Sequence, residues 1–332
     1  MAGRRVTISD VAKLAGVSVP TVSRALNGRP EVIPETRERV LRAAEELDYV
    51  PSRSARSLRT GKFAILGLLV PQLAWDWMPE VIRGVSEEAD RSGYSLLLQQ
   101  LSSGSENRFV ESVLPMLPVD GLVMVIPSGL MDRVGELHRQ GMPVVVVDDQ
   151  IARPEFPSVE IDNAYGVRCV TEHLIESGRE RIAFAAAAAD MLLVCERLAG
   201  YRQAVAAAGL PELGILRQDK DFDALLHTVV SRAGEFDAVV TPYDELAVSL
   251  VSALHAVGVH VPGDVAVTGF DDLPAAAWTG LTTVRSPFYE MGATAVRMLI
   301  TAIDGGTVPE RTVLPVEIVL RDSTRTNEGE IR

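Results

Sequence analysis

The chain has 332 residues, a formal net charge of −13, a charged fraction of 23% and a hydrophobic fraction of 47%, proportions ordinary for a water-soluble protein of two or three domains. No apolar run approaches a membrane span of about 18 residues. The start of the chain, basic at Arg4 and Arg5 and followed directly by polar helix signals, lacks the apolar stretch of a signal peptide, so a cytoplasmic protein is expected. Two cysteines, Cys169 and Cys195, provide no disulfide framework in a chain of this length.

Charge is spread unevenly. Residues 1–62 carry 12 Lys and Arg against 7 Asp and Glu, a balance of +5, while the remainder stands at −18. A basic head on an acidic body places one end of a molecule on phosphates and keeps the other away from them.

In chain order, Ile8, Val11, Ala12 and Ala15 form one apolar stripe of a short helix. Gly16 then suits a helix end that needs positive φ, and Ser18 offers a hydroxyl to the first amides of a second helix. That helix tolerates Pro20 in its first turn and turns Val22, Ala25 and Leu26 inward. Residues 34–47 supply a third helix through Val40, Ala44 and Leu47, with Pro34 at its first position and Ile33 where a capping Ser or Thr would be expected. Two short helices joined by a Gly-containing turn and closed by a third predict a helix-turn-helix headpiece.

The wording of this segment, Val17-Ser18 followed by Thr21-Val22-Ser23-Arg24-Ala25-Leu26-Asn27-Gly28, resembles the headpiece of the lac repressor (LacI/GalR) family, and the resemblance continues to about Ser323. It implies that Val19, Pro20 and Arg24 meet base edges in the major groove. Of these, only Arg24 is able to make a bidentate contact, to guanine. It further implies that Thr7, Ser18, Ser23 and Asn27 hold phosphates. One headpiece covers too few base pairs to be selective, so a homodimer on a near-palindromic operator in double-stranded DNA is expected. The tail 324–332 has no leucine repeat of the kind that makes tetramers in some relatives.

Residues 49–62 form a basic linker in which 52–59 are too few for a stable isolated helix, which needs at least about 12 residues. The resemblance implies a hinge helix here, entering the minor groove with Leu58 wedged between base pairs and Ala55 where two hinge helices meet.

From residue 63 short apolar runs alternate with helical stretches. The runs are 64–70, 94–99, 121–126 and 143–148, then 181–187, 237–241 and 265–271. Such alternation predicts parallel sheets built by βαβ crossovers, and a grouping of four and three predicts two doubly wound α/β lobes. The resemblance implies a periplasmic-binding-protein-like core with strands near 158–162, 281–286 and 312–321 passing between lobes. The expected domains are a headpiece at 1–48, a hinge at 49–62 and a core at 63–332. Within the core, one lobe spans about 63–160 and 286–320 and the other about 161–285 and 321–332.

Open α/β sheets bind ligands beyond the carboxyl ends of their strands. Those ends carry Trp75, Asp76 and Trp77, the loop leading to Arg197, then Tyr243 and Asp244, then Phe270, Asp271 and Asp272. Aromatic faces, an Arg fork and carboxylates suit a sugar ring and its hydroxyls. The resemblance assigns effector hydroxyls to Arg197, in Glu196-Arg197-Leu198-Ala199-Gly200-Tyr201, and to Asp271, in Gly269-Phe270-Asp271-Asp272. Trp75-Asp76-Trp77-Met78 and Tyr243-Asp244 depart from the family's Asn-Pro-Phe-Phe and Asn-Asp; Trp75 and Trp77 are able to replace the asparagine by stacking, and Tyr243 is a further candidate contact.

No nucleophile elbow, phosphate loop, dinucleotide fingerprint or zinc-protease motif occurs. Cys169 and His173, at i and i+4, lack further ligands nearby to complete a metal set, so neither a metal nor another cofactor is expected. The reading is a transcriptional regulator, a repressor, controlled by a small-molecule effector, a sugar in the first instance. A solute-binding protein of the same core fold, or an α/β enzyme with an added DNA-binding domain, are the alternatives.

Overall fold

The computed structural model describes residues 6–49, 62–101, 112–126, 131–148, 156–187, 191–217 and 221–325. The chain divides into two compact units, Met1–Phe63 and Ala64–Arg332. The expected hinge contacts Ala55 and Leu58 lie outside the described residues.

The first unit contains α1 (Ile8–Ala15), α2 (Val19–Leu26) and α3 (Pro34–Glu46). Its core is Val11, Ala12, Ala15, Val22, Ala25, Val32, Val40, Ala43 and Ala44, with Ile8, Leu26, Leu47 and Tyr49 packed against it. The apolar stripes read from the sequence are the ones that pack; Val32 and Tyr49, outside the helices, complete the core. Gly16 ends α1 at φ 65°, a left-handed conformation that a side chain makes costly. Ser18 caps α2, its Oγ accepting the Thr21 amide at 3.3 Å. Ile33 provides no side-chain cap for α3, as its chemistry requires.

The second unit has two parallel sheets. In the first are β1 (Ile65–Val70), β2 (Ser95–Gln100), β3 (Gly121–Val125), β4 (Val144–Val147), β5 (Ser158–Ile161) and, arriving much later in the chain, β11 (Arg311–Leu314), in the order β11-β5-β4-β3-β1-β2. In the second are β6 (Ile182–Ala186), β7 (Leu213–Leu216), β8 (Ala238–Val240) and β9 (Ala266–Thr268), in the order β7-β6-β8-β9. Between the strands run α4 (Met78–Arg91), α5 (Met131–Arg139), α6 (Asn163–Glu176), α7 (Leu192–Ala207), α8 (Phe222–Ser231), α9 (Asp244–Ala256), α10 (Pro274–Trp278) and α11 (Phe288–Ile303). A separate antiparallel ribbon pairs β10 (Thr283–Arg285) with β12 (Glu317–Val319). The strands β3 and β4 are buried along their whole length, the pattern of parallel strands covered on both faces. Among the described residues no helix is long and apolar enough to cross a membrane.

The strand grouping differs from the expected four and three. β7 lies outside the expected runs because it is short, contains Gly214 and follows Pro211, all of which read as loop. β5 is a full member of the first sheet rather than a strand between lobes. The run expected at 312–321 is two strands. Pro315, which has no amide to donate, separates β11, paired with β5, from β12, paired with β10. The lobes are joined where β5 leads into α6, where β10 leads into α11, and where the chain after β12 returns to the second sheet. There Ser323 donates its hydroxyl to the Val267 carbonyl at 2.6 Å.

Candidate functional site

On the first unit, Thr7, Ser18, Val19, Pro20, Arg24 and Asn27 are exposed and Ser23 is half-buried, while Val22 and Ala25 hold α2 to the core. The outward face of α2 is therefore the one carrying the candidate base-reading residues. The candidate phosphate contacts already bond within the unit. The Thr7 hydroxyl donates to Asp10 Oδ2 at 2.7 Å, Ser18 Oγ lies 2.9 Å from Thr21 Oγ1, and Asn27 Nδ2 donates to the Ser23 carbonyl at 2.5 Å. A hydroxyl has a single proton, so a phosphate reached by Thr7 would take that proton from Asp10.

In the second unit Arg197, on α7, is buried and meets a built environment. Its Nε donates to Asn163 Oδ1 at 2.8 Å, Nη1 to the Pro242 carbonyl and Nη2 to Asp271 Oδ1 at 3.5 Å. The guanidinium lies 3.7 Å above the centroid of the Phe270 ring. Of the five N–H donors of a guanidinium, three are thus engaged and two remain. Gly200, one turn further along α7, permits this arrangement. A Cβ there would lie 2.0 Å from the Ala164 carbonyl oxygen of α6, the helix that brings Asn163.

Asp271 follows β9 with φ 111°, accepts the Ser286 hydroxyl at 3.1 Å and is buried. Burial raises its carboxyl above the ordinary range, opposed by Arg197 and the Ser286 bond. Asp148, immediately after β4 in the first lobe, faces the same cluster. Burial pushes its carboxyl up to about 6, against the pull of Arg197 and with the push of Asp271, Glu160 and Glu196. Its carboxyl makes no hydrogen bond among the described residues. A group of the first lobe thus lies within electrostatic reach of an arginine of the second. Tyr243 also joins it, its hydroxyl donating to the Ala187 carbonyl at 3.4 Å. Burial pushes that phenol up to about 12.

The two tryptophans are placed together, with a partner the sequence did not suggest. Trp75 stacks on Trp77 at 5.5 Å between centroids, and Trp77 stacks on Phe288 at 5.2 Å. Trp77 is the inner ring and Trp75 an outer one. Between them in the chain, Asp76 pushes up the carboxyl of Glu245, as do burial, the leading cause, and Asp271. The tryptophan loop is therefore within electrostatic reach of the Arg197 cluster.

Two carboxylates among the strand-end candidates are spent inside the protein. Asp244 is fully buried and accepts the Leu273 amide at 2.8 Å and the Thr283 hydroxyl at 2.6 Å. Asp272 accepts from Arg285 Nε at 2.7 Å and Arg321 Nη2 at 2.6 Å. Sequence reasoning missed Asn163, Asp148 and Ser286. Asp148 and Ser286 directly follow β4 and β10, and Asn163 stands two residues past β5, positions at strand ends that were available as a signal. His173 Nε2 lies 3.0 Å from Thr324 Oγ1, and among the described residues no group of three or more His, Cys, Asp and Glu is placed to hold a metal ion. A concavity lined by Tyr165, Gly166, Cys169, Val316, Glu317 and Ile318 involves none of the cluster.

Comparison with known proteins agrees with this arrangement over both units. Residues 7–52 match the profile of bacterial regulatory proteins of the lacI family, and residues 171–324 match the periplasmic binding protein-like domain. The HTH-type transcriptional regulator CelR of Thermobifida fusca is 36% identical, with 96% of this chain and 98% of that protein covered. A solved complex of CelR with cellobiose superposes with a TM-score of 0.71 at 34% identity, covering 96% of this chain and 100% of that one. The lac repressor dimer bound to operator and the anti-inducer ONPF superposes with a TM-score of 0.85 at 26% identity, covering 97% and 100%. With a helix-turn-helix unit ahead of a two-lobed α/β core, the chain belongs to the LacI family of DNA-binding transcriptional regulators.

Proposed function

We propose that this protein is a homodimeric cytoplasmic repressor that binds a near-palindromic operator and changes its hold on DNA when a sugar occupies the cleft between its core lobes. The observation that carries the effector assignment is Arg197, held by Asn163, Pro242, Phe270 and Asp271 with two donors to spare. Beside it Asp271 and the unbonded carboxyl of Asp148 offer acceptors. A sugar hydroxyl both donates and accepts, so this pairing of spare N–H groups with carboxylate oxygens suits it. Trp75, at the outside of the ring stack, supplies the apolar surface for a pyranose face, with Trp77 as its support and Tyr243 as a further contact. The complex of CelR with cellobiose supports the choice of a sugar.

In the same reading Arg24 reads a guanine and Val19 and Pro20 contribute apolar surface. Thr7, Ser18, Ser23 and Asn27 hold phosphates, and Ala55 and Leu58 belong to a hinge segment that binds the minor groove. The dimeric state of the lac repressor complex supports two headpieces acting together. A regulator is favoured over an enzyme because the headpiece and the transcriptional regulators related along the chain share the same architecture.

A thermal-shift screen against cellobiose, maltose, xylose and ribose tests the effector assignment. A sugar at about 100 times its dissociation constant stabilises by about 2.7 kcal/mol, and Arg197→Ala or Asp271→Asn should abolish the shift. A shift that survives both substitutions would move the effector site elsewhere.

A further inference from the structure

Two consecutive residues after β9 face different tasks. Asp271 points its carboxylate at Arg197 and Ser286, the effector side. Asp272, at φ 57°, points its own at the ribbon that joins the lobes: Oδ2 takes Arg285 Nε of β10 at 2.7 Å and Oδ1 takes Arg321 Nη2, just past β12, at 2.6 Å. The carboxylate is almost fully shielded, with 9% of its side chain exposed. Arg321 is held a second time, through Nη1 to the Leu281 carbonyl at 2.9 Å, and Arg285 Nη1 lies 3.5 Å from Glu317 Oε2 across the ribbon.

The backbone of the pair is fixed to the same ribbon. The Asp271 amide donates to the Val284 carbonyl at 2.7 Å, and Asp271 bridges to Arg285 in register. Both residues hold positive φ, a conformation that persists only when the surroundings impose it. A displacement of the Asp271 carboxylate therefore has a short covalent path to a side chain bonded both to β10 and to the segment just past β12, two of the connections between the lobes.

We infer that Asp272 is a positioning residue that couples effector binding at Asp271 to the crossing strands, and so to the angle between the lobes. The inference rests on the effector reading given above. It assigns to Asp272 no contact with the effector: its carboxylate is consumed by two arginines, each charge-assisted and in bonding range.

The test uses the full-length protein, a DNA duplex selected on the unsubstituted protein from a randomised pool, and the four sugars of the screen. Three quantities are measured for each variant: sugar affinity by calorimetry, melting temperature, and the ratio of duplex dissociation constants with and without saturating sugar. For Asp272→Asn, sugar affinity should stay within about threefold while the ratio moves at least about fivefold toward one. Arg321→Gln should reproduce this, Arg321→Lys should restore part of it, and the double variant should be no worse than either single one, as expected of residues in one network. Should Asp272→Asn fail to fold, Arg285→Gln, whose side chain is half exposed, carries the same comparison.

An unchanged ratio in Asp272→Asn overturns the coupling and leaves the effector reading intact. A joint fall in melting temperature, sugar affinity and ratio makes Asp272 a structural residue only, which also overturns it. If no sugar alters duplex affinity in the unsubstituted protein, the effector reading falls and takes the coupling with it.

Discussion

At the scale of single residues, the second unit hides carboxylates where a reading of strand ends alone cannot tell a ligand contact from a pin. Asp244 and Asp271 both follow strands of the second sheet, yet only Asp271 faces Arg197. Asp244 ties the start of α9 to the 270–273 loop and to β10. Burial, helped by the nearby Asp271, pushes the Asp244 carboxyl up to about 8, against two hydrogen bonds that favour the charged form. Unfolded, the same group titrates near about 3.9. Below about pH 4 it is neutral in both states and its contribution to stability is fully present. As pH rises toward about 8, the folded state keeps a proton that the unfolded state has lost, and stability falls by up to about 1.4 kcal/mol per pH unit. Asp244→Asn keeps the shape, an oxygen for the Leu273 amide and an N–H for the Thr283 hydroxyl, but cannot ionise. Its unfolding free energy relative to the unsubstituted protein should therefore climb between pH 5 and pH 8, from denaturant titrations at about one-unit steps. Parallel pH profiles would mean that Asp244 does not carry this proton. Asp271 is coupled to Asp244, so the difference reports the titration of the pair.

At the scale of elements, the helix-turn-helix was legible almost to the residue, because a short amphipathic helix with a glycine stop and a serine start declares itself in local chemistry. Parallel strands buried on both faces also announced themselves as apolar runs, whereas β7 and the ribbon did not. Four residues with a glycine among them look like loop, and the pairing of β10 with β12 depends on residues more than thirty positions apart. The cleft was half legible for the same reason. Arg197 and Asp271 stood in recognisable strings, but Asn163, which orients Arg197, and Phe288, which completes the ring stack, act only through contacts that folding creates. The packing of α6 on α7 makes this measurable. Gly200→Ala gains helix propensity of about 1 kcal/mol. It also places a methyl 2.0 Å from a backbone oxygen of α6, and overpacking of that kind costs about 1–3 kcal/mol. Because the obstacle is backbone rather than a flexible side chain, the cost should win. The variant is expected to melt lower and to bind sugar more weakly, since α7 carries Arg197 away from Asn163. A variant that melts higher with unchanged sugar affinity would show that the two helices separate freely.

At the scale of the whole molecule, the proposed function divides the work between the basic head, on DNA, and the acidic body, on effector, and asks the segment between them to carry the signal. The expected hinge run, 52–59, is shorter than the about 12–15 residues that an isolated helix needs in water. Any order they gain on DNA must come from contacts made there, and inserting a side chain between base pairs costs a few kcal/mol that the bent duplex offsets. In the proposed dimer such a segment suits switching, because a modest change in how its two copies approach would decide whether that balance is favourable; couplings of about 1–3 kcal/mol are typical. If Leu58 is the inserted side chain, Leu58→Ala removes the wedge without touching the cleft. Operator affinity, measured by fluorescence anisotropy on a selected duplex, should fall by at least about tenfold, while calorimetric sugar affinity of the free protein stays the same. Equal operator affinity in the two proteins would remove Leu58 from the interface. A parallel loss of sugar affinity would instead place Leu58 against the core, where its effect on DNA would be indirect.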